Sequence, residues 1–453
     1  MKIFLPQDVE VILRTIQEAG YEAYVVGGCV RDSLLKRQPG DWDITTSALP
    51  EEIKEIFPKT IDTGIQHGTV TVMMNHVGYE VTTYRIDGEY EDGRHPKEVT
   101  FTRSLPEDLK RRDFTINAMA YNEEAGLVDI FGGAEDLEKG IIRCVGDARC
   151  RFEEDALRMM RAVRFSAQLG YTIEEGTLEA MRELAPNLNK VSAERIQVEL
   201  TKLLCSPHPD YLKAAWEAGL TKIFLPEFDR AMETGQNHPH HCYTVGEHIL
   251  HSLTDIEENK VLRLTMLLHD IGKPVTKQTD EAGIDHFHGH SEVGEKMAGE
   301  ILKRLRFDND TIEKVCRLVL CHDWKPEPVH RSVRRVAAKI GPDLFPLYLK
   351  VQRADILAQS EEKRQEKLET LGTVERIYQE ILKEENCLKL KDMAVSGKDL
   401  LEIGMKPGKE LGCMLKRLFN HVLEVPADNQ KDILRRLAGE WKENNNKTFS
   451  GKE

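Results

Sequence analysis

The chain has 453 residues, of which 31% are charged and 40% hydrophobic, and its formal net charge is −14. This length predicts about three domains, each able to bury a core. No apolar run approaches the ~20 residues that span a bilayer, and the nine cysteines include no CxxC pair, which excludes a membrane-spanning protein and a disulfide framework. We expect a cytoplasmic protein without a membrane partner, in which any contact with nucleic acid lies on a local cationic surface.

The first elements alternate between helix and strand. Leu5–Ala19 has the apolar spacing of an amphipathic helix, and Tyr24–Val26 is a short apolar run with strand propensity. The glycine pair Gly27 and Gly28 predicts a turn, and Cys29–Lys36 returns to helical spacing. The order is therefore strand, glycine turn and helix.

A second strand is predicted after Pro39-Gly40, opening with Asp41 and Asp43. Side chains at positions i and i+2 of a strand point to the same face, so the two carboxylates present hard oxygen ligands to one place, as a pair of Mg²⁺ ions in a nucleotidyl transfer requires. Gly27 and Gly28 allow backbone N–H groups to approach phosphate oxygens, and Arg31 adds a cation. Each feature alone is also typical of an ordinary turn and a solvated acidic pair.

The combined pattern GGCVRD followed by DWDITT resembles the amino-terminal signature of the polymerase-β-type tRNA nucleotidyltransferases and bacterial poly(A) polymerases, specifically the class II CCA-adding enzymes. The resemblance implies an α+β fold class, with a polymerase-β-like nucleotidyltransferase head built on a small mixed sheet and followed by an all-α neck, body and tail. It also implies Mg²⁺ at Asp41 and Asp43, tRNA as partner, and ATP and CTP as nucleotides. No protein partner is implied.

After the acidic pair, Ser47 is predicted to cap a helix that ends at Pro58. Gly68–Met74 and Tyr79–Arg85 then alternate like two paired strands. Glu80, near the start of the second of these strands, is a candidate third catalytic carboxylate because the superfamily often carries one there. A surface glutamate at a strand edge is the open alternative.

Turn residues dominate the segment from Tyr84 to Leu109, which corresponds in the resembled family to a flexible loop needed for the switch to adding A. The following KRRDFTINAMA matches the family's second motif. Its Arg112 is the predicted contact to triphosphate or ribose. Asp113 either orients that arginine or is an ordinary carboxylate at a helix start.

The closest resemblance covers Asp129–Arg164, which includes the family's base-reading helix. Asp155 and Arg158 stand at i and i+3, which makes them neighbours on one helical face. A carboxylate accepts from the exocyclic amino group of C or A, a guanidinium donates to the adjacent ring atoms, and U and G place a carbonyl against the carboxylate. This pair is therefore predicted to select the base, although an Asp–Arg pair at this spacing is more often a surface salt bridge.

Arg161 and Arg164 continue the three-residue spacing, but a helix turns about 100° per residue, so all four side chains cannot face one base. The resemblance assigns these two arginines to nucleotide binding or to structural duty around the pocket. The segment Ser192–Leu204 resembles the family's last motif, for which packing of the neck is expected.

Histidines mark a second predicted site within residues 238–355, in a series that resembles the HD superfamily of metal-dependent phosphohydrolases. Neutral imidazoles and carboxylates on separate helices can converge on one or two divalent ions, whose identity the pattern leaves open, and activate water against a phosphoester. Inactive scaffolds of this superfamily also exist. The predicted ligands are His248, His269, Asp270, His290, His322 and Asp355.

The predicted domains are a head (1–150), a helical neck and body (151–235), an HD domain (236–360) and a helical, tRNA-binding tail (361–453). The predicted function is CCA addition to tRNA 3′ ends, with HD phosphohydrolase activity as a second activity. An A-adding enzyme and a poly(A) polymerase are close alternatives. An HD phosphohydrolase acting on RNA ends, with the head as a docking module, is the alternative of another class.

Overall fold

A computed structural model describes residues 2–88, 99–237, 243–384 and 387–449 of the chain. These residues form two compact units. The first is Met1–Asp229 with Arg304–Arg306, and the second is Arg230–Lys303 with Phe307–Glu453. The predicted division into four domains stays a prediction. Residues 89–98, within the segment for which turns were predicted, lie outside the described residues.

A seven-stranded mixed sheet organises the amino-terminal half of the first unit, in the order β3-β4-β5-β2-β1-β8-β9. The pair β2–β5 is parallel and the other pairs are antiparallel, while β6 and β7 form a separate ribbon. The strands are β1 (Ala23–Val26), β2 (Ile44–Thr46), β3 (Thr60–Gly64), β4 (Thr69–Met74), β5 (Val77–Thr83), β6 (Arg85–Asp87), β7 (Val99–Phe101), β8 (Met119–Asn122) and β9 (Gly126–Asp129).

Helices cover the sheet and then make up the rest of the first unit, where α7 packs on α9 and α6 packs on α8. A short parallel pair, β10 (Ile141–Ile142) and β11 (Thr172–Ile173), lies among them. The helices up to residue 233 are α1 (Gln7–Glu18), α2 (Gly28–Leu34), α3 (Pro50–Ile56), α4 (Leu105–Lys110), α5 (Gly133–Lys139), α6 (Ala148–Glu154), α7 (Leu157–Leu169), α8 (Glu175–Leu184), α9 (Ala193–Leu204), α10 (Leu212–Glu217), α11 (Thr221–Phe224) and α12 (Pro226–Glu233).

The predicted role of Ser47 as a helix cap is wrong. The helix α3 begins at Pro50, and its N-cap residue is Leu49. Ser47 instead accepts a hydrogen bond at Oγ from the backbone N–H of Glu22, at 2.9 Å. A short polar side chain can satisfy a neighbouring segment as readily as its own helix, and here the contact across to the segment before β1 is the one that forms.

The second unit is helical apart from a short hairpin of β12 (Gln278–Thr279) and β13 (Asp285–His286). One buried cluster of this unit includes Phe345, Tyr348 and Tyr378, and another, around Leu400 and Leu418, closes the carboxy-terminal part. Its helices are α13 (Val245–Thr254), α14 (Lys260–Leu268), α15 (Lys273–Thr276), α16 (His290–Arg304), α17 (Asn309–Cys321), α18 (His330–Ile340), α19 (Phe345–Leu357), α20 (Arg364–Lys383), α21 (Gly397–Glu402), α22 (Lys409–Glu424) and α23 (Lys431–Phe449).

The predicted fold class is confirmed: a head with a mixed sheet is followed by an all-helical remainder. None of the described helices combines the length and the apolar sequence that crossing a membrane demands.

Candidate active site and a second candidate metal centre

A cavity of about 590 Å³ in the first unit, here called the head cavity, gathers most of the predicted site residues. Its charged lining comprises seven basic and four acidic side chains, so this part of an acidic chain presents a positive surface. Such a balance suits a polyanion. The lining consists of Gly27, Gly28, Arg31, Asp41, Asp43, Arg111, Arg112, Asp113, Asn117, Asp155, Leu157, Arg158, Arg161, Phe165, Arg195 and Lys202.

Both predicted metal-binding aspartates lie on the cavity wall, but not within a strand. Strand β2 begins only at Ile44, so the prediction that the strand opens at Asp41 is wrong. The carbonyl of Asp43 still accepts from the N–H of Val26 at 3.0 Å, which fixes the backbone of Asp43 beside the end of β1. Both carboxylates nevertheless reach the same cavity.

Glu80 lies next to Asp43 because of the parallel register between β2 and β5. Ile44 pairs with Val81, so the residues that precede them, Asp43 and Glu80, are adjacent across the sheet. The two side chains line a smaller cavity of about 200 Å³ together with Arg112. Asp43 thus lines both cavities, whereas Asp41 lines only the head cavity and Glu80 only the smaller one. Carboxylate oxygens of this kind fit Mg²⁺.

The electrostatics of Asp43 also fit a cation. Burial by the surrounding cavity walls raises the pKa of Asp43, Arg112 opposes this, and the negative charge of Asp41 raises the pKa further. A carboxylate whose charge is disfavoured by burial and by a second acid is stabilised by a nearby cation.

The glycine turn adopts a conformation that an L side chain rarely takes. Gly27 has φ +80° and precedes α2, and a Cβ atom there would lie 3.3 Å from Nη1 of Arg112. A side chain would therefore be strained and would also crowd Arg112. Arg31, in α2, donates from Nη1 to Oδ1 of Asn117 at 2.7 Å and lies against the ring of Phe165, 5.1 Å from its centroid.

One guanidinium nitrogen of Arg112 is hydrogen-bonded to a carboxylate, and another lacks a hydrogen-bond partner among the described residues. Its Nη2 donates to Oδ2 of Asp108 at 3.2 Å, and Asp108 also binds Arg111. Its Nε is buried and has no hydrogen-bond partner among the described residues. Buried donors are normally paired, so this N–H is available for an oxygen of a bound molecule.

Asp113 does not orient Arg112; it accepts from Arg161 instead. Oδ2 of Asp113 lies 2.6 Å from Nη2 of Arg161, and Oδ1 accepts from Asn117 Nδ2 at 3.2 Å. Although burial alone would raise the pKa of Asp113, the Arg161 guanidinium lowers it to about 2. The connected side chains of Arg31, Asn117, Asp113 and Arg161 form one network along the cavity wall.

The predicted helical pairing of Asp155 with Arg158 is wrong. Helix α6 ends at Glu154 and α7 begins at Leu157, so Asp155 lies in the break, with an extended backbone (φ −146°, ψ 102°). Its Oδ2 lies 2.6 Å from Nη2 of Arg195, in α9. Asp155 and Arg158 both line the head cavity all the same.

Arg158 is anchored by groups other than Asp155. It donates to Glu154 Oε2 at 2.5 Å, to the carbonyl of Arg151 at 3.1 Å and to the carbonyl of Arg111 at 3.0 Å. These contacts hold the guanidinium in a fixed position at the cavity. The break between α6 and α7 thus presents a carboxylate and a guanidinium from two differently oriented segments.

Arg164 lies outside the walls of the head cavity, although it was predicted as a nucleotide-binding residue. It is 6% exposed, binds Glu199 of α9 through Nε and stacks over Phe165 at 3.8 Å from the ring centroid. This position, at the contact of α7 with α9, agrees with a structural role, which was expected from the sequence as the alternative to nucleotide binding for Arg164.

Sequence reasoning missed the supporting residues Asn117, Phe165 and Arg195. Asn117 and Phe165 stand within the matched motifs but have no distinctive spacing of their own. The segment that contains Arg195 was expected only to pack the neck, yet Arg195 lines the cavity and holds Asp155. The signal available was an arginine in the first turn of α9, which could find an acidic partner from any neighbouring element.

Protein-family models match the segments that supply most of the residues lining the head cavity. Residues 23–143 match the "Poly A polymerase head domain", and residues 170–232 match the "Probable RNA and SrmB-binding site of polymerase A". Residues 276–438 match a tRNA nucleotidyltransferase domain 2 model. A CCA-adding enzyme of Leuconostoc mesenteroides is 38% identical, over 96% of this chain and 98% of that protein.

The chain belongs to the family of CCA-adding enzymes. A second family member, from Enterococcus faecalis, is 37% identical over 93% of either chain. The crystal structure of the Bacillus stearothermophilus CCA-adding enzyme in complex with CTP is 30% identical to this chain, with a TM-score of 0.72, and covers 98% of this chain and 100% of that one. The resemblance expected from the sequence motifs is confirmed at the level of the family.

In this member of the CCA-adding family, the second unit brings all six predicted ligands together, as a group here called the histidine cluster. Oδ2 of Asp270 lies 3.6 Å from Nε2 of His248 and 3.4 Å from Nε2 of His269, and its Oδ1 lies 3.5 Å from Nε2 of His322 and 3.7 Å from Nε2 of His290. Asp355 lies 2.9 Å from His248. Asp270 thus stands between two groups of potential ligands.

The hydrogen bonds of the four imidazoles decide which nitrogen faces the cluster centre. Nδ1 of His269, His290 and His322 lies 2.8, 2.8 and 2.6 Å from the carbonyls of Met266, Phe287 and Val319. Nδ1 of His248 lies 3.3 Å from the carbonyl of Ala358. A carbonyl accepts only, so in His269, His290 and His322 Nδ1 carries the hydrogen and the neutral ring turns the lone pair of Nε2 inward. His248 has an acceptor at both ring nitrogens, because Asp355 lies 2.9 Å from its Nε2.

In two pairs of histidines, the Nε2 atoms lie closer to each other than two facing nitrogen lone pairs would favour. His248 and His269 approach to 3.2 Å, as do His290 and His322. Burial lowers the pKa of His269 to about 4, whereas for His322 the effect of burial is outweighed by Asp270, which raises its pKa. Nitrogen lone pairs and carboxylate oxygens that face one another are suitable ligands for divalent cations. A proton on His322 would compete with such a cation.

Proposed function

We propose that this chain is a template-independent nucleotidyltransferase that adds C, C and A, from CTP and ATP, to the 3′ ends of tRNA. Relatives named as CCA-adding enzymes match along nearly the whole chain. The observation that carries the proposal is the content of the head cavity: metal-type carboxylates, cationic groups for a triphosphate and a carboxylate–guanidinium set for a base share one space.

Asp41 and Asp43, with Glu80 beside Asp43, are the residues that would hold Mg²⁺. When bound, Mg²⁺ neutralises triphosphate charge and lowers the pKa of the attacking 3′ hydroxyl. The parallel register of β2 and β5 holds Glu80 next to Asp43. The chain thereby supplies oxygen donors from β5 and from the segment that precedes β2.

The triphosphate would lie against Gly27, Gly28, Arg31 and Arg112. The glycine backbone permits close approach of phosphate oxygens, and Arg31 is already oriented by Asn117. The buried Nε of Arg112 has no partner among the described residues and would donate to a phosphate oxygen. These groups would bind the triphosphate of the nucleotide in the ground state and also the negative charge that develops on it in the transition state. Their contacts would be the same for every base.

Base selection would rest on Asp155 and Arg158, each held by groups other than its partner. A carboxylate oxygen of Asp155 keeps lone pairs beyond those used by Arg195 and by the N–H of Leu157, so it can accept from the amino group of C or A. The carbonyl of U or G would face this carboxylate as acceptor against acceptor. A mismatch of this type costs on the order of 1–3 kcal/mol per unpaired group.

The test is incorporation of each labelled nucleotide into tRNAs that lack one, two or three 3′ residues, with Mg²⁺ present. We expect C to be added to the two shorter substrates and A only after CC, and we expect Asp43→Asn to abolish both. Addition of A alone to tRNA ending in CC would show an A-adding enzyme. Long A tails on arbitrary RNA would show a poly(A) polymerase, and no incorporation of any nucleotide would reject the proposal.

The histidine cluster favours a second function, hydrolysis of a phosphate ester by an HD-type site. The inward-facing Nε2 atoms on both sides of Asp270 are the observation that favours it. The first cation would lie with His248, His269 and Asp355, and the second with His290 and His322, with Asp270 between them. Bound cations would supply a water of lowered pKa.

Two matched variants separate the second function from the first. Phosphate release from p-nitrophenyl phosphate with Mn²⁺ should disappear in His269→Ala and persist in Asp43→Asn. Nucleotide incorporation should show the opposite pattern. Absence of phosphate release from the wild type over a series of divalent metals and esters would reject the hydrolase and leave the nucleotidyltransferase proposal intact.

A further inference from the structure

Two cavities meet at the histidine cluster. The first, here called the metal cavity, has a volume of about 540 Å³ and is lined by Asp270, His290, His322 and Asp355 among others. The second, here called the apolar cavity, has a volume of about 300 Å³ and lies between α19 and α20. Lys325, Asp355, Gln359 and Lys367 line both cavities, so one molecule can reach from the ligands into the apolar cavity.

Two polar side chains deep in the lining of the apolar cavity are engaged by backbone carbonyls. Tyr348 donates from its hydroxyl to the carbonyl of Trp324, and Gln352 donates from Nε2 to the carbonyl of His322. Most of the exposed lining is apolar and is provided by the ring of Tyr348 and by aliphatic groups such as Ile356, Leu371 and Val374, while Lys363, Glu366 and Thr370 add polar groups. Such a lining favours an apolar or aromatic group over a sugar.

Cations stand at the shared mouth of the two cavities. Lys367 donates to Oε1 of Gln359 at 2.6 Å, and Gln359 donates to Oδ2 of Asp355 at 3.0 Å. Lys325 contacts only Asp323, at 3.1 Å, in the ion pairs of the described residues. Two ammonium groups next to a metal ligand suit the oxygens of a phosphate, while the apolar cavity suits what the phosphate is attached to.

We propose that the apolar cavity binds the organic group of an aromatic phosphate monoester, with its phosphate at the histidine cluster and between Lys325 and Lys367. This inference deepens the proposed hydrolase function, on which its catalytic part rests. In the reaction, a P–O bond forms to the water oxygen, the P–O bond to the leaving phenol or alcohol breaks, and one proton of the water ends on the leaving oxygen. Lys325 and Lys367 are then phosphate-binding residues, and the lining of the apolar cavity determines the specificity for the organic group.

A binding experiment with Mn²⁺-loaded full-length protein tests the assignment independently of turnover. Isothermal titration calorimetry compares phenylphosphonate with methylphosphonate, which differ only in the group meant for the apolar cavity and cannot be hydrolysed. We expect phenylphosphonate to bind at least tenfold more tightly. Thr370→Trp places a large ring at the cavity lining and should bring this ratio close to one.

Two matched variants control for indirect effects on α20. Thr373→Trp introduces the same side chain on the same helix outside the cavity lining, and should leave the ratio as in the wild type. Lys367→Ala should weaken both phosphonates about tenfold, whereas Lys383→Ala, at the end of the same helix, should change neither.

The possible outcomes separate the two proposals. Equal affinity of the wild type for both phosphonates, or a ratio that Thr370→Trp leaves unchanged, overturns the assignment of the cavity. Preferential binding of phenylphosphonate without release of phosphate from p-nitrophenyl phosphate supports the binding site and rejects the hydrolase. Hydrolysis with equal kcat/KM for aromatic and small alkyl phosphates supports the hydrolase and rejects this inference.

Discussion

Arg195 holds the carboxylate that is proposed to read the base. Its Nη2 lies 2.6 Å from Oδ2 of Asp155, and both side chains are largely buried at the cavity wall. A partly buried charged pair of this kind fixes geometry as well as charge. In the proposed reaction, Arg195 touches neither metal nor phosphate, so it is a positioning residue whose loss should affect selectivity more than turnover.

We expect Arg195→Ala to reduce the preference for CTP over UTP about tenfold, measured as a ratio of kcat/KM on tRNA lacking CCA. The physical reason is that Asp155 loses its orientation, and a mispositioned acceptor discriminates less between an amino group and a carbonyl. Arg195→Lys should restore part of the ratio. Arg182→Ala, which removes an exposed arginine of α8, is the control. A uniform loss of kcat with an unchanged CTP-to-UTP ratio would contradict the role.

Asp113 links stability to pH through Arg161. The pKa of Asp113 is lowered from 3.8 to about 2, so its ionised form is favoured in the folded state. The stabilisation is fully present above the unfolded-state pKa near 4 and is lost as the pH falls from about 4 to about 2. Each pKa unit corresponds to 1.36 kcal/mol, so this carboxylate contributes about 2 kcal/mol at neutral pH.

The expected result is that the stability difference between wild type and Asp113→Asn shrinks by about 1.5 kcal/mol between pH 5 and pH 2.5. Urea unfolding followed by circular dichroism at a series of pH values measures it. Arg161→Gln removes the cause of the shift, so it should remove most of the same pH dependence. A wild-type slope retained in Arg161→Gln would show that another group causes the effect.

At the level of elements, the sequence predicted the types of element well and the geometry of their ends poorly. The amphipathic pattern of Leu5–Ala19 predicted α1, observed as Gln7–Glu18, and the alternation of Gly68–Met74 predicted β4. These patterns follow the side-chain periodicity of one element, which depends on local residues. The α+β head followed by helices could therefore be predicted without knowing any tertiary contact.

The break between α6 and α7 could not be predicted from periodicity. Asp155 and Arg158 were predicted to lie on one helical face, yet Asp155 has an extended backbone and a partner in α9. Tertiary contacts with Arg195 and with the backbone around Arg111 decide the local conformation here. The residue types of the site could thus be predicted from the motif. The hydrogen bonds and ion pairs among them could not, because they depend on elements distant in sequence.

The ion pair between α7 and α9 provides a test at this scale. Arg164 and Glu199 are 6% and 5% exposed, so removing either partner leaves a buried charge. We expect Arg164→Met to destabilise the protein by about 3 kcal/mol, because an unpaired buried carboxylate is costly. The double variant Arg164→Met with Glu199→Met should recover most of the loss in thermal unfolding.

The same variants distinguish structural duty from nucleotide binding. If Arg164 acts through packing alone, the double variant should bind CTP with a Kd within about twofold of wild type, since Arg161 keeps its partner Asp113. A Kd raised tenfold or more in a double variant of restored stability would return Arg164 to the nucleotide site.

At the scale of the whole molecule, the charge of the head cavity is opposite in sign to the net charge of the chain. The chain carries a net charge of −14, yet the head cavity has an excess of basic side chains. The acidic surplus therefore lies elsewhere, where it would limit non-specific attachment to nucleic acid, while the positive lining of the cavity would attract the phosphates of the proposed nucleotide and RNA substrates. The histidine cluster lies in the other unit and draws on none of the residues of the head cavity.

Because the two sites share no residue, their metals should be separable. We expect the wild type, loaded with Mn²⁺ and freed of loosely bound ions, to retain two ions per chain by elemental analysis, both in the histidine cluster. His322→Ala should retain one, because Asp270 with His248, His269 and Asp355 still forms a complete group on the other side. Asp270→Asn should retain none, since its two oxygens belong to both groups.

The pH dependence of this retention follows from the same geometry. A proton on His322 lies between Nε2 and Asp270, where an ion would otherwise bind, and the raised pKa of His322 strengthens that competition. The ion on the side of His290 and His322 should therefore leave first as the pH is lowered, and the ion beside His269, whose pKa is lowered, should leave later. Retention of both ions to pH 5, or simultaneous loss of both, would show that Asp270 does not divide the cluster into two sites.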